Sequence, residues 1–202
     1  MGLKDGYMSR TKKIVVMVFG VLIVFVILDF NYVWANLRFN FNQAGGLTNI
    51  SASELAKSDV PANTLIVPSL GIKAPIVYVN QAEEQAYQAA LSSGVGHFPG
   101  SANPGELGNS YIFGHSSDWF WKKGSYKTVF ALLPRISKGA QIIVTNQTGA
   151  KFIYTVTDSK RVSGNDTSVL NQQGFTKKLL TLQTSYPVGT ALARWVVVAE
   201  MK

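Results

Sequence analysis

The chain reads as a mainly β domain, a small barrel or sandwich with brief helices, preceded by one N-terminal transmembrane helix. Three observations predict this. Beyond residue 63, short stretches rich in Val, Ile, Thr, Tyr and Phe recur between Gly, Pro and Asn, the punctuation of strands and turns. Sustained helical composition in that part is confined to "AEEQAYQAALSSG" (82–94). At the other end, "IVVMVFGVLIVFVIL" (14–28) carries no polar side chain and follows a basic tail.

The N-terminal elements come first. Residues 1–13 hold Lys4, Arg10, Lys12 and Lys13 against Asp5, the charge that retains a tail in the cytoplasm. The apolar run is shorter than the ~20 residues a bilayer requires. Its continuation "DFNYVW" supplies the rest, with Phe30, Tyr32 and Trp34 suited to the headgroup level. Residues 14–34 are therefore expected to span the membrane once and leave the following domain outside. A cleaved signal peptide ending near "VWA" (33–35) is the rival. Trp34 beside the cut and an aromatic belt that would be discarded favour the anchor. Residues 35–62, rich in Asn, Ser, Ala and Gly, read as a stalk with a short helix around "SASELAKS".

Residues 63–202 form the domain. "TLIVPSLGIKAPIVYV" (64–79) predicts two strands broken by Pro68 and Gly71. The helix of 82–94 ends at Gly94, and "NSYIFGHS" (109–116) is a short apolar strand ending at His115. "SYKTVFALLPRI" (125–136) predicts a helical turn or two ended by Pro134. "AQIIVTNQTGAKFIYTVTDSKRV" (140–162) is a hairpin turning at "NQTG". "KKLLTLQTS" (177–185) and "RWVVVAEM" (194–201) are the last two strands.

Composition narrows the chemistry. The chain of 202 residues suffices for one domain with a real core plus a tail. It has no cysteine, which excludes disulfides, thiolate metal sites and a thiol nucleophile. Its net charge of +8 contains no block of like charges and accompanies no nucleic-acid motif. The charge is therefore assigned to membrane orientation and to an anionic wall or lipid surface. Acidic residues are few and scattered without metal-ligand spacing, so no cofactor is expected and calcium lacks support. "GVGHFPG" (94–100) has the wrong spacing for a dinucleotide site, and no Gly-x-Ser-x-Gly elbow exists.

Three strand-end residues remain as a catalytic candidate: His115, Ser185 and Arg194. If the last two strands are antiparallel neighbours, Ser185 and Arg194 lie at one end of the sheet. A nucleophile, a histidine and a cation could then converge on one carbonyl, supplying attack, proton transfer and anion contact.

"GVGHFPGSANPGELGNSYIFGHS" (94–116) and "TLQTSYP" (181–187) together resemble the sortases, membrane-anchored transpeptidases of the cell surface. The likeness runs from about residue 63 to the C-terminus. The resemblance implies an eight-stranded β-barrel in which His115 and Arg194 take the family's histidine and arginine positions. It implies cleavage of a Leu-Pro-x-Thr-Gly-like sorting signal after the threonine. An amine from peptidoglycan or pilin then takes the acyl group. Thr184 and the loop "YPVGTALA" (186–193), with Tyr186 and Pro187 in it, would border the groove, and "DWFW" (118–121) would form a wall of the site or else core or membrane-proximal packing. His97 is read as structural or rim-forming.

The departure from the family pattern is Ser185, which stands where it has cysteine. A hydroxyl ionises far less readily than a thiol and needs a neutral, oriented histidine as base. Impaired chemistry is expected. A substrate-trapping substitution, a pseudoenzyme that binds peptides, and a working serine variant all remain open readings of that position.

Overall fold

The computed structural model describes residues 9–28, 32–34, 36, 37, 39, 40, 59–118 and 122–201. The first helix, α1 (Arg10–Leu28), exposes the apolar side chains of Ile14 to Phe19. Among the described residues, no helix is long and apolar enough to cross a membrane. Residues 29–31 of the expected span, residues 41–58 of the expected stalk and the expected helix at "SASELAKS" lie outside the described residues.

Eight strands close into a barrel: β1 (Thr64–Val67), β2 (Ile72–Tyr78), β3 (Val95–His97), β4 (Gly108–Phe113), β5 (Gln141–Thr145), β6 (Lys151–Ser163), β7 (Lys178–Tyr186) and β8 (Ala193–Glu200). Their order around the barrel is β1-β2-β3-β4-β7-β8-β6-β5, and β1 pairs with β5 to complete it. Closure leaves no open edge along which another chain could add. Between β1 and β2 the chain makes a single 3-10 turn (Pro68–Leu70), and Gly71 then takes a left-handed conformation at φ 65°. The β5–β6 hairpin turns at Asn146, whose Oδ1 accepts from the amides of Thr148 and Ala150.

Two expectations change. Residues 125–136 hold turns and one helical turn, the 3-10 helix Leu133–Arg135, but Pro134 lies inside that turn and does not end it. Strand β3 was not foreseen. It is three residues long and bounded by Gly94, too short for any alternation to show.

Alternation along the strands decides what the barrel hides. On β7, Leu180 and Leu182 are fully buried in the core; on β8, Val197 and Ala199 face them as direct partners. Ile112 of β4 joins the same core, as do Ile142 and Val144 of β5. Each of the Leu, Ile and Val side chains among these contributes ~1.5–3 kcal/mol by leaving water. The residues between them point the other way, since successive side chains on a strand face opposite sides. Tyr111 and Phe113 on β4, Gln183 and Ser185 on β7 and Arg194 on β8 therefore share the outer face. Helix α2 (Glu84–Ser93) lies over part of that face and makes the wall into a groove.

Candidate active site

The groove has a volume of about 990 Å³ and is lined by His115, Ser185 and Arg194 together. Register explains two of the three. Ser185 is the direct antiparallel partner of Arg194, so both side chains leave the sheet on one side. His115 arrives from β4, which runs parallel to β7 with Phe113 opposite Gln183.

A short clamp fixes His115 against the strand that carries Ser185. The Gly114 amide donates to the Gln183 carbonyl at 3.0 Å. The Thr184 hydroxyl donates to the Gly114 carbonyl at 2.8 Å. On the other side, the Phe130 amide donates to the His115 carbonyl at 2.9 Å. Position 114 must be glycine: a Cβ there would lie 2.6 Å from the Phe130 ring. Thr184 is thus 1% exposed and turned into the barrel, away from the groove. Tyr186 has the same facing and packs its ring 5.0 Å from that of Trp195. Neither these two nor Pro187 lines the groove, contrary to expectation, because alternation from Ser185 sends 184 and 186 inward. The loop does border it as expected, through Val188 to Ala191. That loop is tied to the histidine segment by the Gly189 amide, which donates to Ser117 Oγ at 3.0 Å.

Arg194 Nη1 donates to the carbonyls of Ala191 (3.0 Å) and Ala193 (3.1 Å), which orients the guanidinium along the loop. No carboxylate among the described residues neutralises it. His115 has a carboxylate neighbour: Asp118 Oδ2 lies 3.7 Å from Nε2, while Lys122 holds the other oxygen of Asp118 at 2.9 Å. The contact to His115 is longer than a hydrogen bond, so it does not fix the imidazole as a buried aspartate does in a serine-hydrolase triad. Burial lowers the His115 pKa; Asp118 opposes that shift and Lys122 adds to it. The balance favours the neutral imidazole.

Opposite the polar end stands an aromatic wall that sequence reading missed. Tyr87 of α2 meets Phe98 with centroids 6.0 Å apart and Phe113 edge-on at 5.2 Å. The signal was present in "SYIFG": with Ile112 inward, Tyr111 and Phe113 had to face outward. His97 stays out of the groove. It is 4% exposed, packed 4.7 Å from the Tyr78 ring, with Nε2 at 3.0 Å from the Ala102 carbonyl. Of the "DWFW" segment, residues 119–121 lie outside the described residues.

A sortase-domain family model matches residues 65–202, the whole of the barrel. The chain belongs to the sortase family. Sortase D of Bacillus subtilis (strain 168) is 31% identical over 136 residues, which cover 66% of this chain. The chain spans about 60% of the length of that curated relative. Among solved sortases, sortase C-1 from Actinomyces oris is similar at 27% identity with a TM-score of 0.58, covering 74% of this chain and 77% of that one. Sortase A from Corynebacterium diphtheriae follows at 26% identity and a TM-score of 0.56, covering 72% of this chain and 63% of its own. Within this sortase, sequence identity and architecture agree on the barrel.

Proposed function

We propose that the groove binds a Leu-Pro-x-Thr-Gly-like sorting signal for acyl transfer, with the transfer step impaired by Ser185. The observation that carries this is the convergence of His115, Ser185 and Arg194 on one groove with an aromatic wall at its far end. In the reaction, Ser185 Oγ attacks the threonine carbonyl carbon as His115 takes the hydroxyl proton. The threonine–glycine C–N bond then breaks, and His115 returns that proton to the leaving amine. An amine from peptidoglycan or pilin attacks the resulting ester, forming a new amide and restoring the serine hydroxyl. Arg194 offers its guanidinium to the oxyanion or to a substrate carbonyl.

The lowering of the His115 pKa by burial favours the neutral form that a base requires. What the serine lacks is an oriented base, because the carboxylate nearest His115 stands off at 3.7 Å and is shared with Lys122. A thiol at the same place would depend less on that orientation, since part of it is already ionised near neutral pH. The absence of any cysteine supports a second reading, a surface module that holds sorting signals without turning them over. In both readings the apolar run of 14–34 anchors the protein in the cell membrane. The basic tail is then cytoplasmic and the barrel extracellular, near lipid and wall.

A fluorogenic sorting-signal peptide tests the proposal. The chain as it stands is expected to show little turnover, and Ser185→Cys to raise it at least ~100-fold. Substantial turnover by the unmodified chain would overturn the claim of impairment. A folded Ser185→Cys chain that binds the peptide but does not cleave it favours the binding module.

A further inference from the structure

We infer that Gln183 anchors the bound peptide: its side-chain amide N–H, turned to the groove by Tyr111, donates to the peptide carbonyl two residues before the attacked one. The inference rests on the sortase-type reading of the groove and adds a specificity residue to it.

Tyr111 is 2% exposed, so its hydroxyl requires a partner, and it donates to Gln183 Oε1 at 3.0 Å. That bond settles which end of the carboxamide is used inward. The remaining end, Nε2, carries two N–H donors and finds no acceptor among the described residues. Gln183 lines the groove beside Ser185, so the unused donors belong to the surface that a ligand would cover.

Spacing selects the acceptor. Gln183 and Ser185 are alternate residues on one face of β7, ~6.6 Å apart at the ordinary strand rise. An extended peptide laid beside β7 repeats at the same interval, and its carbonyls at alternate residues point the same way. A peptide with one carbonyl at Ser185 therefore presents the next like-facing carbonyl at Gln183.

Direction follows from the wall. Passing from Ser185 to Gln183 leads to Phe113, the direct partner of Gln183, and then to Tyr111, the partner of Thr181. The apolar residues of a Leu-Pro-x-Thr-Gly-like segment all precede the scissile bond, so that half lies toward the aromatic rings. The carbonyl over Gln183 is then the one that the proline contributes.

The competing account is that Gln183 only satisfies Tyr111. Peptide binding to the full chain separates the two. A labelled peptide containing Leu-Pro-Ala-Thr-Gly is compared with its analogue in which an (E)-alkene replaces the Pro–Ala amide and removes that carbonyl. Gln183→Leu is expected to weaken the amide peptide about fivefold and to leave the alkene peptide unchanged. Gln183→Glu keeps an oxygen for Tyr111 but loses the N–H, and is expected to behave like the leucine variant. Equal loss for both peptides, or no loss with the amide peptide, overturns the inference while the groove assignment stands. No binding to either the unmodified chain or its Ser185→Cys form overturns both together.

Discussion

His97 and His115 are the two histidines of the chain, and each shares its surroundings with a serine. Around His97, the imidazole Nε2 and the serine hydroxyl are already engaged. Nε2 meets the Ala102 carbonyl at 3.0 Å and Ser101 Oγ at 3.2 Å, while Ser101 itself donates to the Phe98 carbonyl at 2.7 Å. To satisfy a carbonyl, Nε2 must carry the proton, so it is no base for Ser101. His115 and Ser185 face an open groove with a cation beside them. Burial lowers the pKa of both imidazoles, so titration alone does not tell the sites apart. What differs is room for a third reactant. A reactive constellation is marked by donors and acceptors left unspent around a space, and a structural one by their mutual use.

The widest gap between the two histidines lies in chemistry. In a Ser185→Cys background, His115→Ala is expected to lower kcat by at least ~10³-fold in the peptide-cleavage assay. His97→Gln should leave kcat nearly unchanged once the folded fraction is matched, and parity of the two losses breaks the comparison. In the same background, Arg194→Ala is expected to cost ~10²-fold in kcat/KM, because it removes a donor from where negative charge develops.

Stability inverts the order. His97→Ala removes a packed ring and its hydrogen bonds and is expected to destabilise the barrel by ~2–4 kcal/mol in urea unfolding. His115→Ala, on a groove wall, should cost well under half of that. Acid sharpens the contrast further. Because both folded pKa values lie below the ordinary 6.5, the unfolded chain binds more protons in the interval between. Stability is therefore fully present above pH 6.5, declines as pH falls from there through the folded values, and then levels off. Urea midpoints measured from pH 7 to pH 5 should fall, with a shallower slope in His97→Gln.

The smallest effect concerns Asp118, whose carboxylate opposes the lowering of His115. Asp118→Asn should lower the His115 pKa further and leave His97 where it is. Proton NMR titration of the two rings reads both, and a rise at His115 contradicts the electrostatic account.

Much of this was legible in the sequence because strand alternation and turn residues are local signals. The β5–β6 hairpin, the break at Pro68–Gly71 and the helix ending at Gly94 are written in adjacent residues. The final strands were legible too, and from them the pairing of Ser185 with Arg194. Alternation also carries the inward facing of Thr184, but its bond to Gly114, 70 residues away, is one that no local pattern indicates. The aromatic wall was hidden for a related reason. Tyr87, Phe98 and Phe113 come from three elements, and only the folded chain brings them within about 6 Å. The same holds for Asp118, whose distance to His115 depends on a loop conformation that spacing does not specify.

The parallel pairing of β4 with β7 has a temporal consequence. The clamp from Thr184 to Gly114 joins positions 70 apart along the chain, and Arg194 sits on β8, further still from His115. Contacts this remote in sequence are slow to form, because a long loop must close before they return any stabilisation. A chain emerging from its N-terminus thus carries His115 early but completes the groove only once β7 and β8 have docked. Any acyl-transfer capacity therefore waits on β8, and a polypeptide that stops short of it lacks the groove.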